Sequence, residues 1–176
     1  TYDGVFAKTY YHSDSGGVIA SSSEVWGSAA PYLISFQDAQ TDTPHRNWDA
    51  TLDPAVMAAS LQANGKAVGT VRNLTVLAYS ESGRASEVEI DGSAGSVILS
   101  GPSMTKMLRS WGLKSTRFRM VSGLSARGNG WGHGVGMSQY GAKGLADEGY
   151  SYQQILSFYY PTTSLQHVNY VVSGNP

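Results

Sequence analysis

Glycine occupies every second position from Gly128 to Gly136, in the stretch Gly128-Asn129-Gly130-Trp131-Gly132-His133-Gly134-Val135-Gly136-Met137. In an extended segment successive side chains point to opposite faces. Such a ribbon would be bare on one face and carry Asn129, Trp131, His133, Val135 and Met137 on the other. Glycine weakens a strand through entropy and lost packing. That cost is met where another backbone or a ligand comes very close. A flexible linker is the rival reading, but the interleaved Trp, His, Val and Met are side chains that seek burial or contact. A nucleotide-binding fingerprint is excluded, because no Walker-type Gly-Lys-Ser/Thr follows.

The rest of the chain narrows the classes. Its 176 residues suit one domain, or one domain with an insertion. A formal net charge of -1 gives no basic footprint for nucleic acid. With 14% charged and 11% aromatic residues, the surface suits an uncharged or weakly charged ligand. The lack of cysteine excludes disulfides and thiolate metal sites. No apolar run approaches the roughly 18 residues a spanning helix needs. The chain opens at Thr1 with no visible signal peptide. The expectation is that a leader or a longer N-terminal part precedes it, and that any membrane attachment lies there.

Local signals predict an α+β fold: a mixed, largely antiparallel sheet with a few short helices and an inserted small α/β subdomain. Tyr2 to His12 reads as a strand, Ser13 to Gly17 as a turn and Val18 to Ser22 as the returning strand of a hairpin. Glu24 to Leu33 reads as irregular and Gln37 to Asn47 as a polar loop. Asp53 and Pro54 open a helix to Ala63, stopped by Asn64-Gly65. Val68 to Val71, Leu74 to Tyr79, Glu87 to Ile90 and Val97 to Leu99 read as strands, with turns at Ser82-Gly83 and Asp91-Gly92. Gly101-Pro102 opens a helix through Trp111, and Phe118 to Val121 is a strand. Ser138 caps a helix ending at Glu148. Ser151 and Gln154 form a capping box for Tyr152 to Tyr159. His167 to Val172 reads as a closing strand.

Gly130-Trp131-Gly132-His133-Gly134-Val135-Gly136-Met137-Ser138-Gln139-Tyr140-Gly141-Ala142 resembles the hallmark of the SpoIID/LytB family, the stage II sporulation protein D and amidase enhancer proteins. The resemblance continues through Lys143 to Ala146, Gly149 to Tyr152 and Tyr159-Tyr160-Pro161. It also covers Tyr11-His12-Ser13, Gly16-Gly17, Glu24 to Gly27 and Pro31 to Leu33. It implies a single SpoIID/LytB-like domain with a core of residues 1–48 and 123–176 and an inserted subdomain of about 49–122. The partner it implies is a peptidoglycan glycan strand, with a cell-wall amidase as a further partner. The location it implies is extracytoplasmic, in the cell wall or membrane-anchored and facing the envelope.

Family members of the sporulation type are lytic transglycosylases acting on glycan stripped of its peptides. That chemistry needs one acid of raised pKa. The resemblance places it in a Glu-Met-Pro-like segment upstream of the Tyr2 strand, and no residue here matches it. An isolated 1–176 chain is therefore expected to cleave weakly or not at all. The alternative is a non-catalytic wall-binding module that enhances an amidase.

His133, flanked by glycines, is the candidate assisting catalytic group, since neutral imidazole accepts a proton or orients a hydroxyl near neutral pH. The competing role is a histidine that holds the loop through backbone hydrogen bonds. The candidate substrate-binding residues are Trp131, Ser138, Gln139, Tyr140, Lys143, His12 and Glu24. Trp26, Tyr11 and Tyr32 are further candidate sugar platforms. Ser138 is equally an N-cap, and Lys143 equally a solvated cation. Glu24 is expected to be a hydrogen-bonded structural carboxylate, and Glu148, Glu81, Glu87 and Glu89 to be solvated. His12 and His133 could meet and share a metal with Asp14, as histidine and cysteine ligands hold zinc in some relatives. With no cysteine here, no metal or other cofactor is expected.

Overall fold

The computed structural model describes residues 1–39 and 42–167. The fold is α+β, with mostly antiparallel pairing and short helices. Three-stranded β5 (Val71–Tyr79), β6 (Ala85–Gly92) and β7 (Gly95–Ser100) form one antiparallel meander. A second sheet has the order β4 (Trp48–Thr51), β9 (Ser125–Gly128), β8 (Phe118–Ser122). Two further pairs join β2 (Val18–Ile19) to β3 (Phe36–Gln37) and β1 (Tyr11–His12) to β10 (Met137–Ser138).

Helices begin where the sequence supplies caps. Asp53 accepts from the backbone N–H of Ala55 and Val56 and precedes α2 (Pro54–Ala63). α3 (Gly101–Ser110) carries Pro102 in its first turn. Ser138 caps α4 (Gln139–Asp147), and Ser151 with Gln154 completes a capping box on α5 (Tyr152–Tyr159). Met57 and Leu61 of α2, and Met104, Met107 and Leu108 of α3, pack on the meander with Trp48, Leu74, Val88 and Ile90. A separate apolar cluster gathers Ile19, Val25, Leu33, Val135, Leu145, Ile155 and Tyr159 around the ribbon's far end.

Several expectations give way. Only Tyr11–His12 of the Tyr2–His12 run is strand, apart from an isolated bridge between Tyr2 and Val5. Val18 does not return along that run as a hairpin. β1 pairs parallel with β10 instead, because the Met137 N–H reaches the Tyr10 carbonyl and the Tyr140 N–H reaches that of Ser13. The segment read as irregular starts inside α1 (Ser22–Trp26), capped by Ser21 and stopped by left-handed Gly27. Val68 lies outside β5, and the β6–β7 turn falls at Ser93-Ala94, two residues later than Asp91-Gly92. Residues 168–172 of the expected closing strand lie outside the described residues.

Candidate functional site

The glycine run is not a pleated strand. Gly130, Gly132, Gly134 and Gly136 have φ of 74°, 116°, 86° and 72°, in the left-handed region. L side chains avoid that region, and glycine enters it freely. Between them Trp131 bridges Asp14 in antiparallel sense and Val135 bridges Ala20 in parallel sense. The ribbon thus alternates an extended residue with a left-handed glycine.

Its bare side is closed by the protein's own chain, not open to a polysaccharide. A Cβ on Gly130 would lie 2.6 Å from the Gly16 nitrogen and 2.7 Å from the Asp14 carbonyl. One on Gly132 would lie 2.8 Å from the His12 Cβ. Gly134 faces the Arg84 guanidinium, and Gly136 faces the Tyr10 carbonyl. The close approach that the glycines permit is intramolecular, to residues 10–16 and to one arginine.

The ribbon sends its two aromatic side chains to different places. Trp131 is 41% exposed. Lys114 Nζ sits 5.0 Å from its ring centroid. His45 meets Trp131 edge-on at 4.7 Å and Tyr140 edge-on at 5.3 Å, so the three rings form one outward cluster. Gln139, at the start of α4, is exposed, and Tyr140 is half-buried.

His133 is half-buried beside Trp26 and His12, with ring centroids 5.3 and 5.4 Å away. Its Nδ1 accepts from the Val135 N–H at 3.0 Å. Burial lowers its pKa, while a hydrogen bond to the Tyr11 backbone holds it up in part. His12 is 5% exposed and donates from Nδ1 to the Val135 carbonyl at 3.1 Å, which leaves Nε2 buried with no hydrogen-bond partner among the described residues. Burial, then the neighbouring His133 and Arg84, push its pKa down to about 3. Both imidazoles are neutral at pH 7 and bonded to backbone.

The remaining candidates are anchored. Ser138 is 1% exposed, and its hydroxyl accepts from the Gly141 N–H at 3.1 Å. Lys143 is exposed and paired with Asp147 one turn on. Glu24 accepts from the hydroxyls of Ser82, at 2.6 Å, and Ser80, at 3.2 Å. Asp14 accepts from the Gly16 N–H at 2.6 Å. Among the described residues no three of His, Asp and Glu converge as a metal site.

Arg84, His45 and Lys114 were not singled out from the sequence. Arg84 is 2% exposed and donates from Nη2 to the Ser15 carbonyl at 2.7 Å. Burial lowers its pKa to about 10, against the pull of Glu24 and Asp14, so it remains a buried cation. Gly83-Arg84 looks like turn sequence, and His45 lies in a polar loop. Neither carries a periodic signal.

Residues 40–136 match a family model described as a domain of unknown function (DUF8618). The chain is 29% identical to a protein named amidase enhancer from Bacillus subtilis (strain 168), over 93% of this chain and 30% of that protein. It is 27% identical to stage II sporulation protein D of the same organism, over 96% of this chain and 48% of that protein. An uncharacterized protein of Brachyspira hyodysenteriae (strain ATCC 49526 / WA1) is 30% identical over 97% of this chain and 46% of its own length. The chain thus spans between about a third and a half of these relatives.

Proposed function

Because the chain belongs to the SpoIID/LytB-like family and to that of the domain of unknown function (DUF8618), we propose that it is the glycan-engaging part of a peptidoglycan-active protein. The observation that carries this is the outward cluster of Trp131, His45 and Tyr140, held in place by a ribbon fastened to residues 10–16. Aromatic faces joined to polar edges suit a sugar ring, which offers an apolar face and peripheral hydroxyls. Gln139, the residue before Tyr140, adds an exposed amide.

In this reading the parent protein is a lytic transglycosylase acting on peptide-free strands, with its acid on a segment outside this chain. His133 and His12 position the ribbon and do not touch sugar. Residues 1–48 and 123–176 are the core, and about 49–122 an inserted subdomain. The parent acts in the cell envelope, outside the cytoplasm. No helix among the described residues is long and apolar enough to cross a membrane.

The second reading is a non-catalytic wall-binding module that enhances an amidase. It is favoured by the anchoring of Glu24 and of both imidazoles, which commits these candidate acid and base groups to the fold. Incubating residues 1–176 with peptide-free glycan, followed by mass spectrometry, tests the assignment of chemistry. Binding without anhydro-sugar products is expected, and robust turnover by this chain would overturn the external-acid reading. Restoring the upstream residues separates the two: anhydro products then appear only for a transglycosylase.

A further inference from the structure

The outward aromatic cluster contains one ammonium that the fold leaves unpaired. Lys114 stands between two buried residues, Leu113 and Ser115. The ribbon grips this run on either side of Trp131. The Gly132 N–H donates to the Lys114 carbonyl at 2.9 Å, and the Ser115 hydroxyl donates to the Asn129 carbonyl at 2.7 Å. Residue 114 is thus fixed beside Trp131 through its backbone, while its side chain is half-buried and takes no part in that fastening.

The Lys114 Nζ lies 5.0 Å from the centroid of the Trp131 ring and makes no ion pair or hydrogen bond with any described residue. An ammonium has three N–H donors and no acceptor. The other members of the cluster, His45 and Tyr140, bring no carboxylate to balance it. A sugar ring packed on the exposed part of Trp131 therefore meets this ammonium at its edge.

Such a pairing of indole and ammonium distinguishes two forms of an amino sugar. An acetamido group offers a carbonyl oxygen that accepts from an ammonium, and a methyl group that packs on an indole. The same sugar without its acetyl group offers a protonated amine, which has no acceptor and carries like charge at close range. We propose that Lys114 is the specificity-determining residue of the platform, admitting N-acetylated amino sugars and turning away N-deacetylated ones. This rests on the glycan reading above. It concerns the nitrogen substituent of the sugar alone and is independent of whether the strand carries peptides. Lys114 lies outside the stretches that carry the resemblance to the family.

The test is calorimetric titration of the 176-residue chain at pH 6 with two oligosaccharides of equal length. One is an N-acetylglucosamine oligomer, and the other is the same oligomer fully deacetylated. Neither bears a peptide or a lactyl group, so the acetyl group is their one difference. The expected result is about tenfold weaker binding of the deacetylated oligomer. Lys114→Met keeps an apolar stem beside Trp131 and removes the charge. It should weaken the acetylated oligomer, strengthen the deacetylated one, and so close most of the gap. Lys114→Arg keeps a cation with N–H donors and should preserve the gap. Equal affinities in the wild type would overturn the assignment and leave the glycan reading standing. So would an undiminished gap in a Lys114→Met chain that melts as the wild type does. If neither oligomer binds the wild type, the glycan reading fails and this inference falls with it.

Discussion

Gly134 lies so close to Arg84 that a Cβ on residue 134 would overlap the guanidinium carbon. The ribbon's place in the fold follows from that contact. Arg84 ties the turn before β6 to the Ser15 carbonyl, and the Gly134 carbonyl accepts from the Ala20 N–H at 2.8 Å beside it. Gly134→Ala adds a methyl group where φ is 86° and where a buried cation already stands. Left-handed strain and overpacking together cost roughly 3 kcal/mol. Thermal unfolding should show a melting temperature lower by about 10 °C. An unchanged melting temperature would mean that the ribbon is loose.

Arg84 is the cation that Asp14 and Glu24 both feel, and each of those carboxylates has one buried oxygen without a hydrogen-bond partner among the described residues. Arg84→Met leaves both charges buried without it. The expected loss is about 3–5 kcal/mol, read as a lower urea midpoint with an unchanged slope. Arg84→Lys should recover only part of the loss, because an ammonium cannot reproduce the fork that reaches the Ser15 carbonyl.

His12 sets a pH dependence. Its folded pKa lies at about 3, against the ordinary 6.5, because the ring is buried beside His133 and Arg84. Below pH 6.5 the unfolded chain takes up a proton that the folded chain refuses until about pH 3. Stability therefore falls as pH drops through that window, by about 1.4 kcal/mol per unit, and this contribution is flat above it. His133, whose pKa is also lowered, acts in the same direction. His12→Asn retains an N–H for the Val135 carbonyl and cannot titrate. Melting temperatures at pH 7.5, 6.5 and 5.5 should fall less steeply in this variant than in the wild type, and parallel curves would contradict the assignment.

What was legible in the sequence follows from the range of the interactions. Asp53-Pro54, Ser138 and the Ser151–Gln154 box fix helix starts within a single turn, and α2, α4 and α5 begin there. The pairing of Tyr11 with Met137 joins the two ends of the chain, and no local pattern announces it. Glycine alternation has period two, but a pleated strand and an alternation of extended and left-handed residues share that period. Only the positive φ values distinguish them. The family blocks marked the ribbon, Trp131 and Tyr140. The platform's other members, His45 and Lys114, come from segments that carry no motif.

In the proposed reading the ribbon, sealed against the protein's own chain, leaves glycan binding to the aromatic cluster it displays. The most direct measurement is the affinity of the 176-residue chain for peptide-free glycan, with Trp131→Ala compared against the wild type. Trp131 is 41% exposed and packs on His45, so its loss should lower the melting temperature by several degrees and leave the chain folded. As the central aromatic anchor it should weaken binding by tenfold or more, about 1.4 kcal/mol at least. Equal affinities for the wild type and Trp131→Ala, with both chains folded, would contradict the claim.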